Sequence, residues 1–330
     1  MTDRRCDVGS ERRAMLRAGL AAAFAMPARA QGRAHRLGVL APGRFSIDGV
    51  RRWTLPELAR LGFVEGRNLD VLLHATDGDA APLPALAADL AAARCDVAIA
   101  VSNPVARLLR AADPRLPIVL GFAGNDPVAD GLVDSLARPG GLVTGIVMLG
   151  EELDTKRLEF ARELDPGTAP VGFLAGATLS PDRIARIEAE AAALGIPIAL
   201  ARAGAPETYG AAFAALRRAG ARIVVVGSFP GFAGQAGLLA AKGAAAGLPL
   251  LCDWRHMAEA GCVVSYGASA AELRRRNAVQ VARILRGEAP GAIPMERPDR
   301  FELVVNAGAA ARLGLAIPPL VLARAEEVIE

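Results

Sequence analysis

Catalysis and metal binding need reactive side chains at workable spacing, and this chain of 330 residues offers few. Its three histidines, His35, His74 and His256, are scattered, and no C-x-x-C or His/Cys cluster points to a metal. The turn after the first apolar run, Ala41-Pro42-Gly43-Arg44-Phe45-Ser46, lacks the G-x-G-x-x-G that lets backbone approach a pyrophosphate. No G-x-x-x-x-G-K-S/T phosphate loop occurs. In Gly227-Ser228-Phe229-Pro230-Gly231 the serine stands one place too early for a G-x-S-x-G nucleophile elbow. Unclustered histidines give a Ser–His–Asp triad little support. No catalytic residue, cofactor or metal is therefore assigned.

What remains is a set of polar and aromatic residues beside strand-like runs. Ser102-Asn103-Pro104 follows an apolar run and opens a helical pattern. Ser and Asn cap helices and Pro suits the first turn, so one reading is a plain cap. The other uses the same free N–H groups and hydroxyl to receive an anionic ligand group. Gly124-Asn125-Asp126-Pro127 stands in the same relation to the next run. There Asp126 either caps a helix or receives a ligand ammonium. Phe45, Phe122, Phe229, Phe232, Trp254 and Tyr266 all fall in or near strand-end segments, although aromatics are only 4% of the chain. Such rings supply rigid apolar area to a ligand, or fill a core.

The elements that must position these residues alternate. Strands are predicted at 36–41, 69–74, 97–101 and 118–122, with helices at 50–61, 83–94 and 105–111. Pro56 weakens or kinks the first helix. The pattern then restarts with a strand at 142–148 and a helix at 151–164, followed by strands at 171–175, 198–201 and 223–226 and helices at 182–194, 207–219 and 233–246. The tail adds a strand at 262–266, a long helix at 270–286, a strand at 301–306 and a short helical end. Short apolar strands alternating with helices predict parallel sheets covered on both faces, in two α/β lobes. Ligands of such sheets bind at the carboxyl ends of the strands, and two facing lobes make a cleft there.

Composition agrees. Apolar residues are 52% and charged residues 22%, which excludes a disordered chain. Six arginines against three acids before position 31 account for the whole formal charge of +3. The remainder is neutral, so no electrostatic case for nucleic-acid binding exists. Arg12, Arg13 and Arg17, an uncharged stretch from Ala18 to Ala28, and Ala28-Arg29-Ala30 follow the order of a secretory signal, with cleavage expected before Gln31. The run Glu11-Arg12-Arg13-Ala14-Met15-Leu16-Arg17 resembles a twin-arginine signal, with Met where Phe is usual and Glu where Ser is usual. The general secretory route is the other reading. Cys6 precedes the apolar stretch and none follows it directly, so a soluble exported product is expected, without stable membrane insertion. Cys95, Cys252 and Cys262 leave at least one free thiol. Cys252 and Cys262 either pair or remain reduced in the core.

Several segments resemble one family. Leu58-Ala59-Arg60-Leu61-Gly62-Phe63-Val64-Glu65-Gly66-Arg67-Asn68, Leu83-Pro84-Ala85-Leu86-Ala87-Ala88-Asp89-Leu90 and Asn125-Asp126-Pro127-Val128 with Gly131-Leu132-Val133 occur in order. Arg138-Pro139-Gly140-Gly141, Ser265-Tyr266-Gly267, Ile284-Leu285-Arg286-Gly287 and Phe301-Glu302-Leu303-Val304-Val305-Asn306 continue the series. Together they resemble the ABC-transporter substrate-binding proteins described as tryptophan/tyrosine-type, over nearly all of 36–330. The resemblance implies an α/β type I periplasmic binding protein fold, two doubly wound parallel-sheet lobes joined by three hinge crossings. These crossings are expected near 143–147, 263–266 and 302–306. Lobe one is expected at 36–145 plus 266–300, and lobe two at 146–264 plus 301–330. It further implies a periplasmic, monomeric protein that captures a small molecule, of the amino-acid or aromatic/apolar organic-acid kind, and delivers it to an ABC permease and its ATPase. An α/β enzyme or a ligand-sensing domain using the same cleft is the alternative. The expected ligand contacts are Phe45, Ser102, Asn103, Asn125, Asp126, Ser228, Phe229 and Tyr266. Ser-Asn-Pro at 102–104 and Cys252-Asp253-Trp254 depart from the family's usual patterns, so ligand identity does not carry over.

Overall fold

The computed structural model describes residues 33–330 apart from 77–78, 124–125, 149 and 178. The leader and Asn125 therefore lie outside the described residues. Strands β1 (His35–Ala41), β2 (Leu69–Ala75), β3 (Val97–Ala100), β4 (Ile118–Ala123) and β5 (Val143–Val147) form one sheet in the order β2-β1-β3-β4-β5. All its pairings are parallel. Alternation sends Leu37, Val39, Ile99 and Val119 to one face and Leu40, Ala98, Ala100, Ile118 and Leu120 to the other. The second face is covered by α2 (Leu83–Ala92) and α3 (Asn103–Ala112), through Leu83, Leu90, Val105 and Leu109. The first face receives the helical run α1, built from Arg44–Gly49, a π-helical stretch Val50–Thr54 and Leu55–Arg60. Pro56 falls just after that stretch: it has no N–H to give the i→i−4 ladder, and the helix continues by a local change of pitch. The predicted helix therefore starts six residues early, at Arg44 instead of Val50, and takes Phe45 out of the loop into its first turn.

The second sheet has the order β12-β11-β10-β9-β8-β6-β7. Its strands are β6 (Val171–Gly176), β7 (Ile198–Ala203), β8 (Val224–Val226), β9 (Leu250–Cys252), β10 (Val264–Ala268), β11 (Phe301–Asn306) and β12 (Glu327–Ile329). Only β10 and β11 pair antiparallel. Helices α4 (Gly150–Leu164) and α5 (Pro181–Ala193) pack one face through Leu158, Phe160, Ala161 and Ile187. Helix α6 (Pro206–Arg218) packs the other through Tyr209, Phe213 and Leu216. The helix predicted at 233–246 breaks at Gln235 into α7 (Pro230–Gly234) and α8 (Ala236–Ala245), within a segment carrying Gly231, Gly234 and Gly237. Strands β9 and β12 and the short α9 (Arg255–Glu259) were not legible in the pattern. The helical end comprises α11 (Ala307–Arg312) and α12 (Pro319–Arg324), and β12 then adds an edge strand to β11.

The chain passes between the sheets three times. It leaves the first after β5, returns after β10 as α10 (Ala270–Leu285), and enters the second again at β11. Helix α10 lies on the first sheet, where Ala278, Val281 and Ala282 meet Leu37, Ile99 and Val119. Its buried polar residues also stitch that sheet: Asn277 Nδ2 donates to Leu120 O (3.2 Å) and Gln280 Nε2 to Gly145 O (3.2 Å). Cys252 and Cys262 form a disulfide, with Cα atoms 6.5 Å apart. Cys95 is free, and burial pushes its thiol up to about 11, which keeps it protonated and unreactive. Among the described residues no helix is long and apolar enough to cross a membrane.

One glycine of the first crossing is obligatory. Gly145 has φ +141°, and a Cβ there would lie 2.4 Å from the backbone N and O of Leu120. Gly145→Ala should separate β5 from β4 and lower stability by at least about 3 kcal/mol. Urea unfolding measures this; a cost below about 1 kcal/mol would mean that the strands adjust freely.

Candidate ligand-binding site

Strand order reverses between β1 and β3 in the first sheet and between β6 and β8 in the second. These are the switch points where diverging loops leave a crevice at the carboxyl ends of the strands. The loop after β1 leads to Phe45, the loop after β3 carries Ser102, and the loop after β8 carries Ser228 and Phe229. The two halves meet there through aromatic side chains. Phe45 stacks on His256, ring centroids 4.0 Å apart at 26°, and Phe122 packs tilted on Trp254 at 5.5 Å. Ile146, Met148 and Leu273 join Trp254 and Phe232 in the same apolar cluster.

The second lobe's side of this crevice is organised by a buried ion network. Arg157, on α4, is fully buried. Its Nη1 donates to Asp154 Oδ1 (2.8 Å) and to Val226 O (3.4 Å), its Nε to Tyr266 O (3.1 Å) and its Nη2 to Ser228 Oγ (3.4 Å). Asp154 turns its other oxygen to Arg183 Nη2 at 2.8 Å. Ser228 also hydrogen-bonds the side chain of Asp253, which is 5% exposed. The loop carrying Asp253 lies against β10 so closely that a Cβ on Gly267 would sit 1.9 Å from Asp253 O. Charges in such surroundings persist only when hydrogen-bonded and paired, as Arg157 is. On the first lobe, the buried Arg274 of α10 lies with its guanidinium carbon 4.3 Å from the Phe122 ring centroid.

The sequence-predicted contacts distribute unevenly. Phe45, Ser102, Ser228 and Phe229 stand at the switch points. Ser102 caps α3 by position, with no side-chain cap bond. Asn103 is buried, and its Nδ2 donates to Asp130 Oδ2 (2.5 Å), a carboxylate that also meets Arg107 at 2.6 Å. Asp126 is exposed and accepts from Val128 N (2.9 Å), which makes it a turn cap. Phe229 lies over Gly176 and Gly231 and meets Phe232 edge-on at 5.1 Å. Tyr266 is half-buried, tilted on Phe160 at 5.1 Å and stacked on Phe301 at 6.0 Å. Arg157, Asp154, Arg183, His256 and Arg274 were missed. Arginines on charged-looking helices carry no signal that separates a buried one from a solvated one. Among the described residues no group of His, Cys, Asp and Glu is placed to hold a metal.

A family model described as ABC transporter substrate binding protein matches residues 46–329. The chain belongs to this family. Members of the family are solute-binding proteins that take small ligands and work with an ABC transporter at the extracellular or periplasmic side. A conserved domain protein from Vibrio cholerae has a similar structure, at 25% identity and TM-score 0.82 over 90% of this chain and 100% of that one. So does a Streptococcus pneumonia domain in complex with L-Trp, at 21% identity and TM-score 0.80 over the same shares. The architecture is the type I periplasmic binding protein fold. A tyrosine-binding protein of Clostridioides difficile (strain R20291) is 28% identical over 130 residues, 39% of this chain. That match spans 36% of the relative's length.

Asp253 gives this substrate-binding protein a pH signature. Burial raises its carboxyl to about 6, against the lowering pull of Arg157 and Ser228. The folded state then holds the proton more tightly than the unfolded state. The contribution to stability is complete below about pH 4 and is lost as pH rises through about 6, on the order of 2–3 kcal/mol. Asp253→Asn removes that titration. The melting temperature of wild type minus that of Asp253→Asn should therefore fall between pH 4 and pH 7. A difference that is flat with pH would show that Asp253 titrates as it does in the unfolded chain.

Proposed function

We propose that this chain is an exported, monomeric solute-binding protein of the periplasm. It captures a small molecule between its two lobes and hands it unchanged to an ABC permease driven by an ATPase. The observation that carries this reading is the aromatic contact across the lobes at the carboxyl ends of the strands: Phe45 on His256 and Phe122 on Trp254. Rings there form a rigid, desolvated lining that a planar apolar ligand can enter, and the crossings after β5, after β10 and before β11 allow the lobes to close by a hinge. The ligand is of the amino-acid or aromatic organic-acid kind. The L-Trp complex and the tyrosine-binding relative make aromatic amino acids the first compounds to test. Phe45 and Ser102 contact it from lobe one, at 36–145 plus 266–300, and Ser228 and Phe229 from lobe two, at 146–264 plus 301–330. The ring contacts of Tyr266 with Phe160 and Phe301 favour a packing role for that residue.

A thermal-shift panel of amino acids and aromatic acids tests the reading. A ligand present at 100 Kd stabilises the folded state by about 2.7 kcal/mol, and mass spectrometry should recover it unaltered. Conversion of the bound compound would make the cleft an active site. Phe45→Ala should weaken binding by about 1–3 kcal/mol and Ser228→Ala by about 0.5–1.5 kcal/mol, read by calorimetry. Tyr266→Ala should lower the melting temperature and leave affinity near wild type. The protein recovered from a periplasmic fraction should begin at Gln31 on N-terminal sequencing; an intact Met1 in the cytosol would refute export.

A further inference from the structure

Arg274 differs from the other buried arginines. Arg157 and Arg183 both bind Asp154, whereas no carboxylate of the described residues lies within ion-pair distance of Arg274. It is 1% exposed, and its Nη1 has no hydrogen-bond partner. Its environment is apolar and made to fit. The guanidinium lies over Phe122, and a Cβ on Gly49 would come within 3.1 Å of Nε. A Cβ on Gly121 would stand 3.6 Å from Nη1 and 3.5 Å from Ala100 O, which places the group at the carboxyl ends of β3 and β4. Those ends face the crevice, and Phe122 connects Arg274 to Trp254 of the opposite lobe. Burial pulls the guanidinium down to about 9. A buried cation without an anion is costly and calls for an explanation, and an anion entering from the crevice supplies one.

We propose that Arg274 is the anion seat of the cleft and that the ligand is a small organic carboxylate, its charged end on the guanidinium and its apolar body against Phe122 and Trp254. This rests on the reading of the cleft as a ligand site. A planar fork of N–H donors takes a carboxylate through two parallel hydrogen bonds, and in apolar surroundings that pairing is strong. The bound anion also removes the penalty that the unliganded protein carries, so binding and stabilisation are coupled at one side chain.

The test uses matched pairs with protein expressed from the full chain: 3-phenylpropanoate against 3-phenylpropanol, 4-hydroxybenzoate against 4-hydroxybenzyl alcohol, L-tryptophan against tryptamine, and L-tyrosine against tyramine. Calorimetry and thermal shift are read on wild type, Arg274→Met, Arg274→Lys and Arg275→Met. In at least one pair the carboxylate should bind wild type tenfold or more tighter than its partner. Arg274→Met should abolish that preference and raise the unliganded melting temperature by a few degrees, because a paired ligand is no longer needed to compensate a charge. Arg274→Lys, which keeps the charge and loses the fork, should retain part of the preference, and it carries the test if the Met variant does not fold. Arg275→Met, at the exposed neighbouring position, should match wild type. Carboxylates that bind no better than their partners, or a carboxylate preference that survives in both Arg274 variants, would overturn the assignment while the cleft reading stands. Failure of every compound to bind wild type would overturn the cleft reading and this assignment with it.

Discussion

The guanidinium of Arg157 is the point on which the second lobe's side of the crevice depends. Five donors in a rigid plane suit it to join groups that arrive from different elements. It reaches an acid one turn away on its own helix, the carbonyls at the ends of β8 and in β10, and the hydroxyl of Ser228. Asp154 extends the network to α5 through Arg183. Strand β10 is also the strand from which the chain returns to the first sheet. One buried cation thus sets the loop after β8, the start of a crossing and the docking of two helices. Removing it would leave Asp154 half-compensated in a dry site, a far larger disturbance than the loss of a surface pair.

Close backbone approach is the companion constraint. At Gly145 the first crossing presses on Leu120, and at Gly267 the second presses on the carbonyl of Asp253. Side chains at either position would push the strands apart. Both crossings are thereby anchored within their own sheets.

The aromatic lining and the ion network divide the work at the crevice. Phe45, Phe122 and Trp254 supply apolar area that meets across the lobes, and Ser228 is held in place by Arg157 and Asp253. In the loops at 103 and 126, Asn103 bonds the Asp130 carboxylate and Asp126 accepts from the backbone of Val128. At Asp126 the carboxylate closes a local turn with nearby backbone, the competition expected of Asp in loops.

Much of the fold was legible because its strands are short apolar runs bounded by Gly, Pro and Asp, with helical spacing between them. Strand β9 was hidden by its three-residue length, and β12 by the glutamates around it. The aromatics at strand ends pointed to the crevice because parallel strands deliver their carboxyl ends to one edge. The two arginines that matter most gave no such sign. Arg157 stands in the charged run Asp-Thr-Lys-Arg, and Arg274 in Arg-Arg-Arg beside Asn277 and Gln280, so both resemble a solvated helix face. Sequence by itself determined the alternation of strand and helix, the family and the gathering of aromatics at the strand ends. Only tertiary structure decided which side of α4 and of α10 turned inward. Burial of a charge depends on what distant elements pack over it, and periodicity records only which neighbours along the helix share its face.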